Sequence, residues 1–190
     1  MVRYQAGAPM EQVVLVDDKN NEIGTADKET IHSHNTPLHR GFSLFLFNSK
    51  KQLLLTKRAS TKKTFPGVWT NTVCGHPGPG ESVEEATARR LKYELGIILG
   101  GSHPSEGETL IRKVSNYRYK FADKNGIEEN EICPILIAYS DEEPKPNKEE
   151  IDDWKWMDRE IFLEEIKRNP AIYSPWCIQE ADLLYGFVKG

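Results

Sequence analysis

The residue types best suited to chemistry are spread thinly along this chain. His32, His39 and His76 each sit beside an expected turn or strand end, and neutral imidazole is a common ligand for divalent transition metals. Glu129 and Glu131 add carboxylates at i and i+2, which share a face if that segment is extended. Three imidazoles and two carboxylates suit an octahedral site for Mn²⁺, Mg²⁺ or a similar ion. Spacing by itself leaves a plainer reading open, in which the histidines are solvated and Glu-x-Glu is a polar strand edge. Cys74 lies in Thr70-Asn-Thr-Val-Cys-Gly-His-Pro, at the end of an expected strand and the start of a tight loop. A thiol beside a metal-binding histidine can serve as acid or base, and a small buried packing residue is the equal alternative. Cys133, Cys177, Trp154 and Trp156 read as packing, and His34 and His103 as solvated.

These residues need elements to hold them. Gln12–Asp17 and Ile23–Asp27 read as strands around a polar turn, followed in Lys28–His34 by either a short helical turn or an irregular stretch, closed by Pro37. Phe42–Phe47 and Gln52–Thr56 read as a second, buried hairpin. After the Gly/Pro-rich loop Gly75–Gly80, Ser82 and Glu85 form a capping box, and Gly96 stops the helix they start. Val83, Thr87, Leu91 and Leu95 recur at four-residue spacing along it, with Arg90 and Glu94 one turn apart on a neighbouring face. Thr109–Phe121 and Glu131–Tyr139 read as long strands joined through the turn Asp123–Gly126. Asp141–Asp152 is a polar connection, and Asp153–Met157 alternates like a strand. Arg159–Arg168 and Trp176–Val188 read as helices, the second with an apolar stripe of Ala181, Leu184, Tyr185 and Val188. Strands mixed with helices over 190 residues indicate one α/β (α+β) domain covering residues 1–190.

Composition narrows the setting. Net charge is −4, which gives no general reason to expect nucleic acid or an anionic membrane as partner. No apolar run reaches the ~20 residues of a membrane span, and the first residues lack the apolar core of a signal peptide. Three cysteines do not make a secreted disulfide framework, so a cytoplasmic protein with reduced thiols is expected. A monomer is the expected state.

Gly75, Glu81, Arg89 and the run Glu94-Leu-Gly-Ile97 fit much of the Nudix box, so this stretch resembles that superfamily. It departs from the box at Arg90 and Tyr93, where Nudix hydrolases resemble one another in carrying metal-binding glutamates. The departure weakens the alternative of a Nudix pyrophosphohydrolase while leaving the fold in place. Phe65-Pro-Gly-Val-Trp-Thr-Asn-Thr-Val-Cys-Gly-His-Pro, His32, His39, Tyr119, Glu129-Asn-Glu-Ile-Cys-Pro and Ser174-Pro-Trp176 together resemble type I isopentenyl-diphosphate isomerases. They follow that family's order from about Val13 to the final helix.

The resemblance implies a Nudix-like α/β/α sandwich with a mixed central β-sheet. It implies an isomerase that converts isopentenyl diphosphate to dimethylallyl diphosphate in isoprenoid biosynthesis. A divalent ion (Mn²⁺, Mg²⁺ or Zn²⁺) would be held by His32, His39, His76, Glu129 and Glu131. A further Mg²⁺ arriving with the diphosphate would be held by Glu94 and the Cys74 carbonyl. Lys28, Arg58, Lys62 and Arg90 match the family's diphosphate-binding cations. Cys74 and Glu131 match the two proton-transfer groups, with Glu131 favoured as the first donor and Tyr119 near the acid. Trp176 matches the aromatic face that stabilises a carbocation.

Overall fold

The computed structural model describes residues 11–100 and 110–188. Helix α2, Val83–Leu95, is the element whose local signals are most complete. The Ser82 side chain accepts from the Glu85 backbone N–H, and the Glu85 side chain accepts from the Ser82 N–H. Gly96 ends the helix in the left-handed region at φ 68°, which glycine adopts without a Cβ clash. Its buried face carries Ala86, Thr87, Leu91 and Leu95, and also the charged pair Arg90 and Glu94.

Two sheets form the frame. The larger has strands in the order β12 (Ile151–Met157), β5 (Leu53–Arg58), β4 (Phe42–Phe47), β11 (Ile135–Tyr139), β8 (Arg112–Ser115), with β6 (Trp69–Thr70) on β5 and β7 (Val73–Gly75) on β4. Period-two alternation divides its side chains between two cores. Phe42, Leu44, Leu46, Leu54 and Leu136 pack with Leu91 and Leu95 of α2. Phe45, Phe47, Leu55, Ile135 and Ile137 pack on the other face with Phe162 and Ile166 of α3 (Arg159–Arg168) and Trp176 and Cys177 of α4 (Pro175–Val188). The result is the expected α/β/α sandwich around a mixed sheet. The Tyr185 and Val188 side chains of the expected α4 stripe lie outside the described residues.

The smaller sheet runs β2 (Glu22–Asp27), β1 (Gln12–Val16), β3 (His39–Arg40), β10 (Glu128–Ile132), β9 (Arg118–Ala122). Two expected long strands are in fact broken and shared between the sheets. Thr109–Phe121 divides into β8 and β9, and Glu131–Tyr139 into β10 and β11. Pro134 stands at the second break and has no N–H for a ladder bond. Thr109 lies outside the described residues. The expected β4–β5 hairpin is splayed, meeting only at Phe47 opposite Leu53. The gap is stitched by side chains: Thr72 Oγ1 donates to Leu54 O (2.7 Å) and accepts from Leu46 N–H (2.8 Å), while Asn71 Nδ2 donates to Leu44 O (3.1 Å). Cys74 follows directly on this stitch.

Candidate active site

Strand register brings the chemical residues together. His39 on β3 lies beside Glu131 on β10 in a parallel pairing, and Tyr119 on β9 lies opposite Glu131 on its other side. His32 is the C-terminal cap of the short helix α1 (Lys28–Ile31). His76 follows β7, whose Cys74 pairs with Ser43 of β4. One cavity of about 330 Å³ is lined by His32, Cys74, His76, Tyr119, Glu131 and Trp176.

The imidazole rings of His32, His39 and His76 stand 4.9–5.5 Å apart, centre to centre. Donor atoms from these three and from Glu129 and Glu131 all lie within 4.8 Å of one another. The His39 Nδ1–H faces the Pro37 carbonyl at 2.9 Å, which leaves Nε2 as a lone pair toward the cluster. His32 Nε2, His39 Nε2 and Glu129 Oε2 are buried without a hydrogen-bond partner, although His32 Nε2 and Glu129 Oε2 are 3.0 Å apart. Buried polar atoms normally find partners. A convergent group of orphaned imidazole and carboxylate atoms is the donor set a divalent cation takes, so the residues fit the expected metal.

Electrostatics agree with that fit. Burial pushes the His76 imidazole down to about 4, so it is neutral in neutral solution and free to ligate. Burial acts to raise Glu131, yet His76 and His39 hold it well below the usual carboxylate range. Glu129 is likewise lowered, His32 outweighing burial, and its other oxygen accepts from the Thr64 hydroxyl.

Gly41, between β3 and β4, is required by space. A Cβ there would stand 1.8 Å from Glu131 Oε2 and 2.6 Å from its carboxyl carbon. Gly41→Ala is therefore expected to swing the Glu131 carboxylate out of the cluster and weaken divalent-metal binding. Calorimetric titration with Mn²⁺ checks this; wild-type affinity in the variant would contradict it.

The thiol of Cys74 donates to Asn71 Oδ1 at 3.0 Å, and Ser43 Oγ is 3.6 Å away. Burial pushes this thiol up to about 12, so it carries its proton at neutral pH. Trp176, 1% exposed, stacks on Tyr119 at 5.7 Å and meets the edge of Phe65 at 4.9 Å. Its helix start is pinned by Ser174, whose N–H donates to Trp69 O (2.8 Å) and whose hydroxyl pairs with Thr70 (2.9 Å).

Lys28, Arg58, Lys62 and Arg90 all line the same cavity. Arg58 lies over the Trp176 ring at 5.6 Å, Lys28 pairs with Glu11, and Lys62 pairs with Glu150. Arg90 reaches Glu94 (2.8 Å) and Glu150 (3.0 Å). Burial acts to lower Arg90, but Glu94 and Glu150 raise it further, so it stays charged. Burial alone would raise Glu150, yet Lys62 and Arg90 hold it down at about 2. Glu94 goes the other way, raised by burial despite Arg90. Glu11 and Glu150 were not visible as site residues in the sequence, where nothing marks either. Asn71 sat within the quoted motif, and Thr64 one residue before it. Cys133 and Cys177 are buried packing residues as expected. His34 bonds Gly126 O at 2.9 Å on the surface, and His103 lies outside the described residues.

A NUDIX domain model matches residues 37–177. The chain is 46% identical over 171 residues to the isopentenyl-diphosphate Delta-isomerase of Saccharopolyspora erythraea, covering 90% of this chain and 84% of that one. It is 41% identical over 186 residues to the protein of the same name from Salmonella arizonae, covering 95% and 98%. The chain belongs to the isopentenyl-diphosphate Delta-isomerase family. Within this family member, the Arg90 guanidinium lies over the Tyr93 ring at 5.0 Å. Among solved structures, the DR0079 protein of Deinococcus radiodurans aligns with a TM-score of 0.69 at 20% identity, over 90% of this chain and 98% of that one. The MutT protein of Methanosarcina mazei gives 0.62 at 18% identity, over 80% and 94%. At those identities the likeness is one of fold. No helix among the described residues is long and apolar enough to cross a membrane.

Proposed function

We propose that this chain interconverts isopentenyl diphosphate and dimethylallyl diphosphate through a tertiary carbocation. One observation carries the reading: a proton-bearing thiol, a carboxylate, a buried aromatic face and four cations line a single cavity. Lys28, Arg58, Lys62 and Arg90 would hold the diphosphate, since several cations are needed to bind so much negative charge. Two of them are paired with Glu150 beforehand, so binding exchanges those carboxylate contacts for phosphate ones.

Proton transfer falls to Cys74 and Glu131. A proton added at the terminal methylene gives the tertiary cation, and loss of one from the adjacent methylene gives the product. Each residue donates in one direction of the reversible reaction and accepts in the other. The resting pair, a thiol at Cys74 and a carboxylate at Glu131, is the form that begins with Cys74 as donor. Starting from Glu131, the sequence-based preference, requires a proton to move onto Glu131 first. Tyr119 braces the site through its register with Glu131 and its stack on Trp176.

His32, His39, His76, Glu129 and Glu131 would hold Mn²⁺, Mg²⁺ or Zn²⁺, and Glu94 with the Cys74 carbonyl would meet Mg²⁺ brought by the diphosphate. A bound divalent ion supplies positive charge that sets the protonation and orientation of its carboxylate ligands. Chelation followed by dialysis is expected to abolish turnover, and re-addition of a divalent ion to restore it. Full turnover after exhaustive chelation would remove the metal from the account.

Trp176 presents its ring to the cavity, and a ring face stabilises a cation by roughly 0.5–2 kcal/mol. Trp176→Ala is expected to lower kcat by about 10-fold or more with a smaller change in KM, because the cation exists only during reaction. Steady-state kinetics decide; a change confined to KM would count against cation stabilisation.

A further inference from the structure

One buried acid takes no part in the chemistry so far. Glu180 lies on α4, four residues after Trp176, and is 0% exposed. Its Oε1 is 3.9 Å from Cys133 Sγ, and its Oε2 has no hydrogen-bond partner among the described residues. Ser43 Oγ in turn lies 3.4 Å from Cys133 Sγ and 3.6 Å from Cys74 Sγ. A continuous polar contact thus runs from Glu180 to Cys133, from Cys133 to Ser43, and from Ser43 to the thiol of Cys74, inside an otherwise apolar core.

A buried carboxyl without a cation is costly to keep unless it is neutral and hydrogen-bonded. Burial does push Glu180 well above the usual range, with Glu131 adding to the effect. As a neutral acid it holds one hydrogen to donate and one oxygen to accept. Packing needs alone would be met by leucine.

We propose that Glu180 is a positioning residue for the isomerisation: acting through Ser43 and Cys133, it fixes the direction in which the Cys74 thiol points. The inference rests on the reading of Cys74 as a proton-transfer group. Cys74 has two polar neighbours, Asn71 and Ser43. Asn71 is tied to backbone carbonyls, whereas the Ser43 hydroxyl is oriented by the Cys133 thiol, which Glu180 in turn holds. A thiol turned by one rotamer moves its sulfur by more than the ~1 Å that already costs a reaction heavily.

The test is a set of steady-state measurements on Glu180→Gln, Glu180→Leu, Ser43→Ala and the Ser43→Ala/Glu180→Leu double variant, each checked for thermal unfolding. Glutamine reproduces the shape and hydrogen bonding of a neutral acid, so Glu180→Gln is expected to keep kcat within about threefold. Glu180→Leu is expected to lower kcat by about 10-fold or more with KM unchanged, and Ser43→Ala by a similar factor. The double variant should be no slower than the slower single, because both act through one contact. Normal kcat in Glu180→Leu, or multiplying losses in the double variant, would overturn the proposal. So would a loss in Glu180→Gln as large as in Glu180→Leu, which would mean that an ionised acid is needed. If Glu180→Leu does not fold, Ser43→Ala removes a single oxygen and is paired with Glu180→Gln in the same cycle. Wild-type protein without isomerase activity would instead sink the reading of the reaction itself.

Discussion

Cys74→Ala is expected to lose about 10²–10⁴-fold in kcat, the usual worth of a positioned proton-transfer group. Alanine removes the sulfur that donates to Asn71 Oδ1 and leaves the rest of the stitch between β4 and β5 intact. Thr72 still bridges Leu54 and Leu46, and Asn71 Nδ2 still holds Leu44 O. The fold should therefore survive, with thermal unfolding close to wild type. Diphosphate binding should survive too, since Lys28, Arg58, Lys62 and Arg90 are untouched. The informative measurement is kcat beside the affinity for inorganic diphosphate in Mg²⁺. Turnover near wild type would take Cys74 out of the proton transfer. Equal losses in both quantities would make it a structural residue.

Glu131→Gln should be at least as damaging, for two reasons that separate experimentally. The amide can neither give up nor take a proton as the carboxyl does, and it brings no negative charge to the cluster of His39 and His76. Loss of the charge has a readable consequence for His39. Burial acts to lower its pKa, and the Glu131 carboxylate raises it above the ordinary value. Without that carboxylate the His39 pKa should fall, not rise. In metal-free protein this is measurable by NMR titration of the imidazole. Kinetically, kcat should drop by about 10²–10⁴-fold, and saturating the variant with divalent ion should not restore it. Restoration by excess metal would show that Glu131 serves only as a ligand.

How much of this was legible in the sequence depends on how local each signal is. Helix α2 was readable almost to the residue, because its capping box and Gly96 stop are written within one short segment. The β9–β10 turn was readable for the same reason: Asp123 to Gly126 carries its own turn chemistry, with Gly126 at φ 78°. The breaks at Cys133-Pro134 and between β8 and β9 were not, since an apolar run continues through the first, the second carries only Asn116 and Tyr117, and pairing partners alone show that the pieces serve two sheets. The cluster of histidines and glutamates is the extreme case. His32, His39 and His76 come from a helix cap, a two-residue strand and a loop, and no periodicity links them. Motif order pointed to them, whereas geometry unites them through the parallel β3–β10 pairing. Gly41, Glu150 and Glu180 were invisible for a further reason. Each matters through what it faces across the fold: Glu131, Lys62 with Arg90, and Cys133 with Ser43 beyond it.

The most direct test of the central claim is to incubate the purified protein with isopentenyl diphosphate and Mg²⁺ and to follow acid-labile allylic diphosphate and free phosphate together. The account predicts that acid-labile product accumulates to an equilibrium with no phosphate released, and that chelator stops it. Phosphate release from isopentenyl diphosphate or from a panel of nucleoside diphosphate derivatives, with no acid-labile product, would contradict it and return the cavity to Nudix hydrolase chemistry.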